Sequence, residues 1–200
     1  MANRYTDVDL MILKRWDEVK ALREAFDDLR GRMEGFVEGS LKKMAAVAEE
    51  RKLSSDVDIK RPSIWFWKHE WETRSKKEPG IYFMLSDFAP AEYSKSVEEY
   101  PSMWFRTEEF SRLKIRESTE DFGRAVRAAL SPELLKKWGH EDADLSNSPL
   151  GRECTNVSDS DRVRFVAEPD ALYKFVIERL DEFMELVPAV DQALQRMTRR

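Results

Sequence analysis

The chain has 200 residues, 42% hydrophobic and 11% aromatic, with 6 Trp and 11 Phe. Size scaling lets such a chain bury about 70% of its unfolded surface, so a real core is within reach and wholesale disorder is excluded. Its 34 basic and 39 acidic residues give a net charge of -5, and their even mixing along the chain lacks the basic footprint of a nucleic-acid binder. One cysteine, Cys154, excludes an intramolecular disulfide. With no secretion leader and no apolar run long enough to span a bilayer, the expectation is a cytoplasmic protein without a membrane partner.

Only 7 Gly and 8 Pro punctuate the chain, which favours long helices. Asp7 to about Lys52 reads as helix. Ile12, Val19, Phe26 and Met33 recur every seven residues, as do Leu22, Leu29 and Phe36, with Arg15 the one polar entry in the second series. This is a heptad a/d seam. Past Met33 it runs through Val37, Leu41, Met44 and Ala48, where two steps of four make a stutter. Packing on its own domain and pairing with another chain are equally compatible with the pattern. Gly31, Gly35 and Gly39 line the opposite side; three interior glycines cost about 3 kcal/mol relative to alanine, which predicts a bend or break there, or else a closely packed neighbour.

Residues 53–62 read as a polar connector, and Ile64 to Trp71 as a strand. Alternation puts Trp65, Trp67, His69 and Trp71 on one face. A Pro-Gly turn over Arg74 to Gly80 leads to a second strand at Ile81–Leu85, and Met103–Phe105 and Arg162–Val166 complete four strands. Between the last two, Ser118 caps one short helix and Ser131, with Pro132 behind it, caps another that ends at Gly139. Glu141 to Asp161 reads as a long acidic loop. The terminal helix opens at Pro169 and carries a seam of Leu172, Val176, Leu180, Phe183, Val187, Val190, Leu194 and Met197; Pro188 predicts a kink or two helices sharing that face.

The expected fold is therefore α+β: about four mainly antiparallel strands under a long N-terminal helical region, which a helical hairpin would also fit, and a Pro-kinked C-terminal helix. The heptad region spans 1–52 and the sheet-bearing part 53–200, including helix 169–199, with both folding as one cooperative unit.

Catalytic motifs are lacking: no phosphate-cradling glycine loop, no paired Cys or His metal motif, and no nucleophile elbow. Asp142, Asp144, Ser146 and Glu153 sit at positions 1, 3, 5 and 12 of a calcium-loop spacing, but Asn147 and Pro149 break that pattern and no exiting helix follows. Asp58-Ile59-Lys60 has the local form of a nuclease strand, but its upstream partner would be Asp56 or an acid on the long helix, neither of them strand-borne; Asp56, Asp58, Asp87 and the Asp142 to Glu153 loop could still converge in space. The Trp65, Trp67, His69 and Trp71 face would suit stacked bases, with Arg74, Lys76 and Lys77 as candidate phosphate contacts, though buried core is the commoner fate of strand tryptophans. No cofactor is expected.

The expected function is a non-catalytic interaction or regulatory protein. Ile12, Val19, Leu22, Phe26, Leu29, Met33 and Phe36 bind a protein partner or a second copy, as a homodimer. Immunity proteins, antitoxins and inhibitors share this acidic, helix-rich composition, which is an analogy of composition alone. A nucleic-acid-binding sheet face and a carboxylate-based metal-dependent nuclease are the alternatives.

Overall fold

Period-two alternation along each strand sorts side chains onto two faces, and the pairing register lines them up in rows. In a computed structural model, which describes residues 5–58, 63–73, 78–87 and 101–198, five strands form one antiparallel sheet in sequence order. They are β1 (Leu53–Asp58), β2 (Ser63–Lys68), β3 (Tyr82–Ser86), β4 (Ser102–Arg106) and β5 (Leu150–Glu153). One row runs Phe66, Phe83, Phe105, Leu150 and is fully buried. The neighbouring row, on the other face, runs Asp56, Trp65, Met84, Trp104, Gly151.

Seven α-helices occur among the described residues: α1 (Asp7–Lys14), α2 (Trp16–Glu50), α3 (Thr119–Ala129), α4 (Pro132–Trp138), α5 (Asp159–Ala167), α6 (Pro169–Met184) and α7 (Val187–Thr198). The phenylalanine row is the floor on which α6 and α3 rest. Phe183 of α6 stacks on Phe83 at 4.8 Å, and Phe122 of α3 lies 6.2 Å from Phe105. Leu41, Met44 and Ala48 of α2 and Val190 and Ala193 of α7 join the same buried cluster. Lys52, in a left-handed conformation with φ 60, turns the chain from α2 into β1.

Local signals carried through. Ser118 and Ser131 accept hydrogen bonds from the backbone of Asp121 and Leu134, capping α3 and α4. At the C-terminus two helices share the apolar face; Pro188 falls in the first turn of α7, where its missing N–H costs nothing.

Several expectations are corrected. The sheet has five strands. Residues 53–58 of the polar connector are β1, which lies at the sheet edge and turns Leu53 and Val57 toward the core. Arg162–Val166 is helix: Ser158 and Asp161 form a capping box, and Arg162 and Phe165 share one buried side of α5. The fourth partner of the sheet is instead β5, inside the expected acidic loop. Helix α2 passes through Gly31, Gly35 and Gly39 without a break, and open space surrounds each position where a Cβ would stand. Trp71 leaves the strand alternation because His69–Trp71 is a 3-10 turn; its ring meets the edges of Phe83 and Phe105 in the core.

Gly123, in contrast, is a close-approach site. A Cβ there would lie 2.2 Å from the carbonyl oxygen of Leu145, which is backbone and cannot swing aside. Gly123→Ala therefore destabilises the protein by about 1–3 kcal/mol in thermal or urea unfolding, despite the better helix propensity of alanine.

Candidate functional site

An amphipathic helix normally hides its apolar stripe. In this protein α2 hides only one end of it. Leu41, Met44 and Ala48 are buried against α6, α5 and β1, and Met33 and Phe36 are half-buried, Phe36 against the same core. N-terminal to them the stripe is bare: Val19 is 37% exposed, Leu22 72%, Phe26 65% and Leu29 48%. Residues 13–32 are exposed without interruption, and those of α2 among them, 16–32, make about 25 Å of helix at 1.5 Å per residue. Tyr5, Val8 and Met11, in and before α1, and Trp16 add further exposed apolar side chains, and no residue of α1 is buried, although Ile12 is half-covered. Leu180, Phe183, Val187 and Val190 lie in the core and leave Phe26 and Leu29 uncovered.

Intrahelical charge pairs account for a helix standing in solvent. Arg15–Glu18, Lys20–Glu24, Arg23–Asp27 and Arg30–Glu34 run along its sides at spacings of three and four, from 3.8, 3.9 and 4.0 Å down to 2.9 Å. Each such pair adds a few tenths of a kcal/mol to helix formation. Arg15, the polar entry in the seam, is where the helix is interrupted between α1 and α2, with φ -119 and ψ 33.

The tryptophan face has different members from those expected. Trp65 and Trp67 share it with Tyr82, Met84 and Trp104, while Trp71 lies on the helix side with its indole N–H donating to Asp191 at 3.1 Å. His69 is exposed in the 3-10 turn. Trp104 lies flat over Gly151, where a Cβ would come within 2.1 Å of its ring, and His140 meets its edge at 5.2 Å. Carboxylates rim this face. Glu72 accepts from Trp67 Nε1 at 3.1 Å and Ser54 Oγ at 3.2 Å, and Glu108 accepts from the Tyr82 hydroxyl at 2.5 Å. Burial, reinforced by Glu108, pushes the Tyr82 phenol far up. Such a rim repels phosphates, and Arg106, the cation on the face among the described residues, is held by Glu108. Arg74, Lys76 and Lys77 lie outside the described residues, as do Ile59 and Lys60 of the Asp58-Ile59-Lys60 motif.

The calcium-like loop is organised by its own hydrogen bonds. The Asp144 carboxylate accepts from the Ser146 backbone at 2.9 Å, which together with Asn147 holds its pKa below the usual range. Asp142 is exposed, and Glu153 belongs to β5, 4.0 Å from His140 Nε2. Asp56 and Asp58 lie on β1, and Asp87, at the end of β3, accepts from Ser86 and Ser102. Among the described residues no three His, Cys, Asp or Glu side chains are grouped to hold a metal ion. Burial pushes the Cys154 thiol up, against the pull of Arg179 and Arg152. No helix among the described residues is long and apolar enough to cross a membrane.

Two features escaped the sequence reading. Trp104, Tyr82 and Met84 join Trp65 only through strand register. Glu182, bound by Arg179 at 2.8 Å and by Arg152, ties α6 to β5, with Lys137 of α4 at 3.5 Å; only the Arg179–Glu182 spacing of three is local. Comparison with protein-family models, with characterised proteins and with solved structures finds no match.

Burial works to raise the Glu72 carboxyl, but Trp67, His69 and Ser54 outweigh it and hold the pKa below the ordinary 4.5. A depressed folded-state pKa contributes stability that is complete above pH 4.5 and is lost as pH falls through the folded value. Glu72→Gln therefore lowers stability by roughly 1 kcal/mol near neutral pH. In urea unfolding at a series of pH values, its deficit against the native chain shrinks below pH 4.5.

Proposed function

We propose that this is a non-catalytic interaction protein that associates with a second copy of itself through the bare stripe of α2, and that the paired helices form the platform for its regulatory or accessory role. The carrying observation is the exposure of Val19, Leu22, Phe26 and Leu29 on one side of a helix whose other sides are charged. Scattered apolar residues on a surface are ordinary, but a contiguous stripe at heptad spacing is an association surface. Burying a side chain of this size gives about 1.5–3 kcal/mol, so eight of them across a dimer offset an association cost on the order of 4–15 kcal/mol. The carboxylate rim of the sheet face favours a protein partner over nucleic acid. A buried, unpaired Cys154 suits the cytoplasm.

Light scattering and sedimentation test this directly. The full chain at tens of micromolar is expected to be a dimer, and Phe26→Lys with Leu29→Lys is expected to weaken pairing by more than 100-fold and yield monomer. Both side chains stand in solvent within one chain, so with native chain and variant both measured below the association midpoint the unfolding of the body should move by less than about 0.5 kcal/mol. Unfolding of the variant instead would mean that the stripe packs within the chain.

A further inference from the structure

We infer that the two copies of α2 pair in parallel and in register over Val19 to Met33, which places both globular bodies at the same end of a shared helical stalk. This rests on the self-association proposed above and adds its geometry.

Three observations carry it. The first is core composition. Val19 occupies an a position, as does Ile12 before the interruption at Arg15, and Leu22 and Leu29 occupy d positions. Within a parallel pair, β-branched residues at a with leucine at d favour two strands over three or four. Phe26 and Met33 fill the remaining a layers.

Flanking charge is the second. In a parallel pair each g position faces the partner's e position five residues on. Glu18 then meets the partner's Arg23, and Ala25 meets the partner's Arg30, so no like charges oppose. The intrachain contacts that Glu18 and Arg23 would loosen are long, 3.8 Å to Arg15 and 4.0 Å to Asp27, between side chains all more than 65% exposed. An antiparallel pair that matches Val19 with the partner's Leu29 and Phe26 with the partner's Leu22 sets the two Arg23 side chains against each other.

The third is where the seam stops. A strict heptad beyond Phe36 lands on Ser40 and Lys43, and Lys43 is exposed. The apolar stripe shifts there by a stutter to Leu41, Met44 and Ala48, which the body of the same chain buries. The stutter thus hands the helix from a partner's contacts to its own, and the shared seam ends where each body begins.

Cysteine cross-linking of the full chain decides the geometry. Residues 22 and 29 are about 10 Å apart along the helix. An antiparallel dimer can bring like residues together at one level only, whereas a parallel one does so at every d layer. Under oxidised glutathione, Leu22→Cys and Leu29→Cys, made separately, are each expected to give a disulfide-linked dimer on a non-reducing gel; Cys154, being buried, supplies the unlinked background in the native chain. Glu18→Lys and Arg23→Glu are each expected to weaken the dimer two- to ten-fold, and the double variant to restore it. A dimer by light scattering with one cross-link or none, or without charge-swap rescue, overturns the parallel register while leaving self-association standing. A monomer by light scattering overturns self-association itself.

Discussion

The burial of Leu41, Met44 and Ala48 is the constraint from which the rest of the architecture follows. These three side chains lie at under 2% exposure in the same cluster as Phe83, Phe105 and Phe183. They fix the C-terminal end of α2 over β1 and α6. A helix is stiff over such lengths, so anchoring one end sets the course of the other, and residues 16–32 of α2, about 25 Å, leave the body with their apolar stripe uncovered. Removing that anchor would expose core and free the arm together.

The same constraint divides the molecule's surfaces by chemistry. The helix-covered face of the sheet is a layer of stacked and tilted aromatic rings, with Phe183 and Trp138 closing it from above. The other face carries Trp65, Met84 and Trp104 under a rim of carboxylates, each indole or phenol of Trp67 and Tyr82 held by an acid. Glu108 also holds Arg106, while the buried Trp65 indole N–H has no hydrogen-bond partner among the described residues. On the arm, by comparison, charges pair along the helix sides and the apolar stripe from Val19 to Leu29 stays exposed.

What could be read from the sequence was whatever local chemistry decides. Ser118 and Ser131 marked their helices because a cap needs only a hydroxyl and a backbone N–H three residues on. The period of seven in α2 was equally plain, but its division between body and solvent was not, since that depends on where the body ends. Strand β5 was invisible: Leu-Gly-Arg-Glu has little strand propensity, and its pairing with β4 and the seat it offers Trp104 come from residues about fifty positions earlier. Arg162–Val166 misled because a five-residue alternation fits two periods, and the capping box at Ser158 was the stronger signal. Trp71 lies on the face opposite to the one that strand alternation predicts, because one 3-10 turn rotates everything beyond it.

Hydrogen exchange tests the central claim most directly, since it reads each stretch of α2 separately in the intact chain. The account predicts that amides over residues 19–32 gain protection as protein concentration rises from well below to well above the association midpoint, while those over residues 41–48 stay equally protected throughout. Protection over residues 19–32 that does not change with concentration would contradict it.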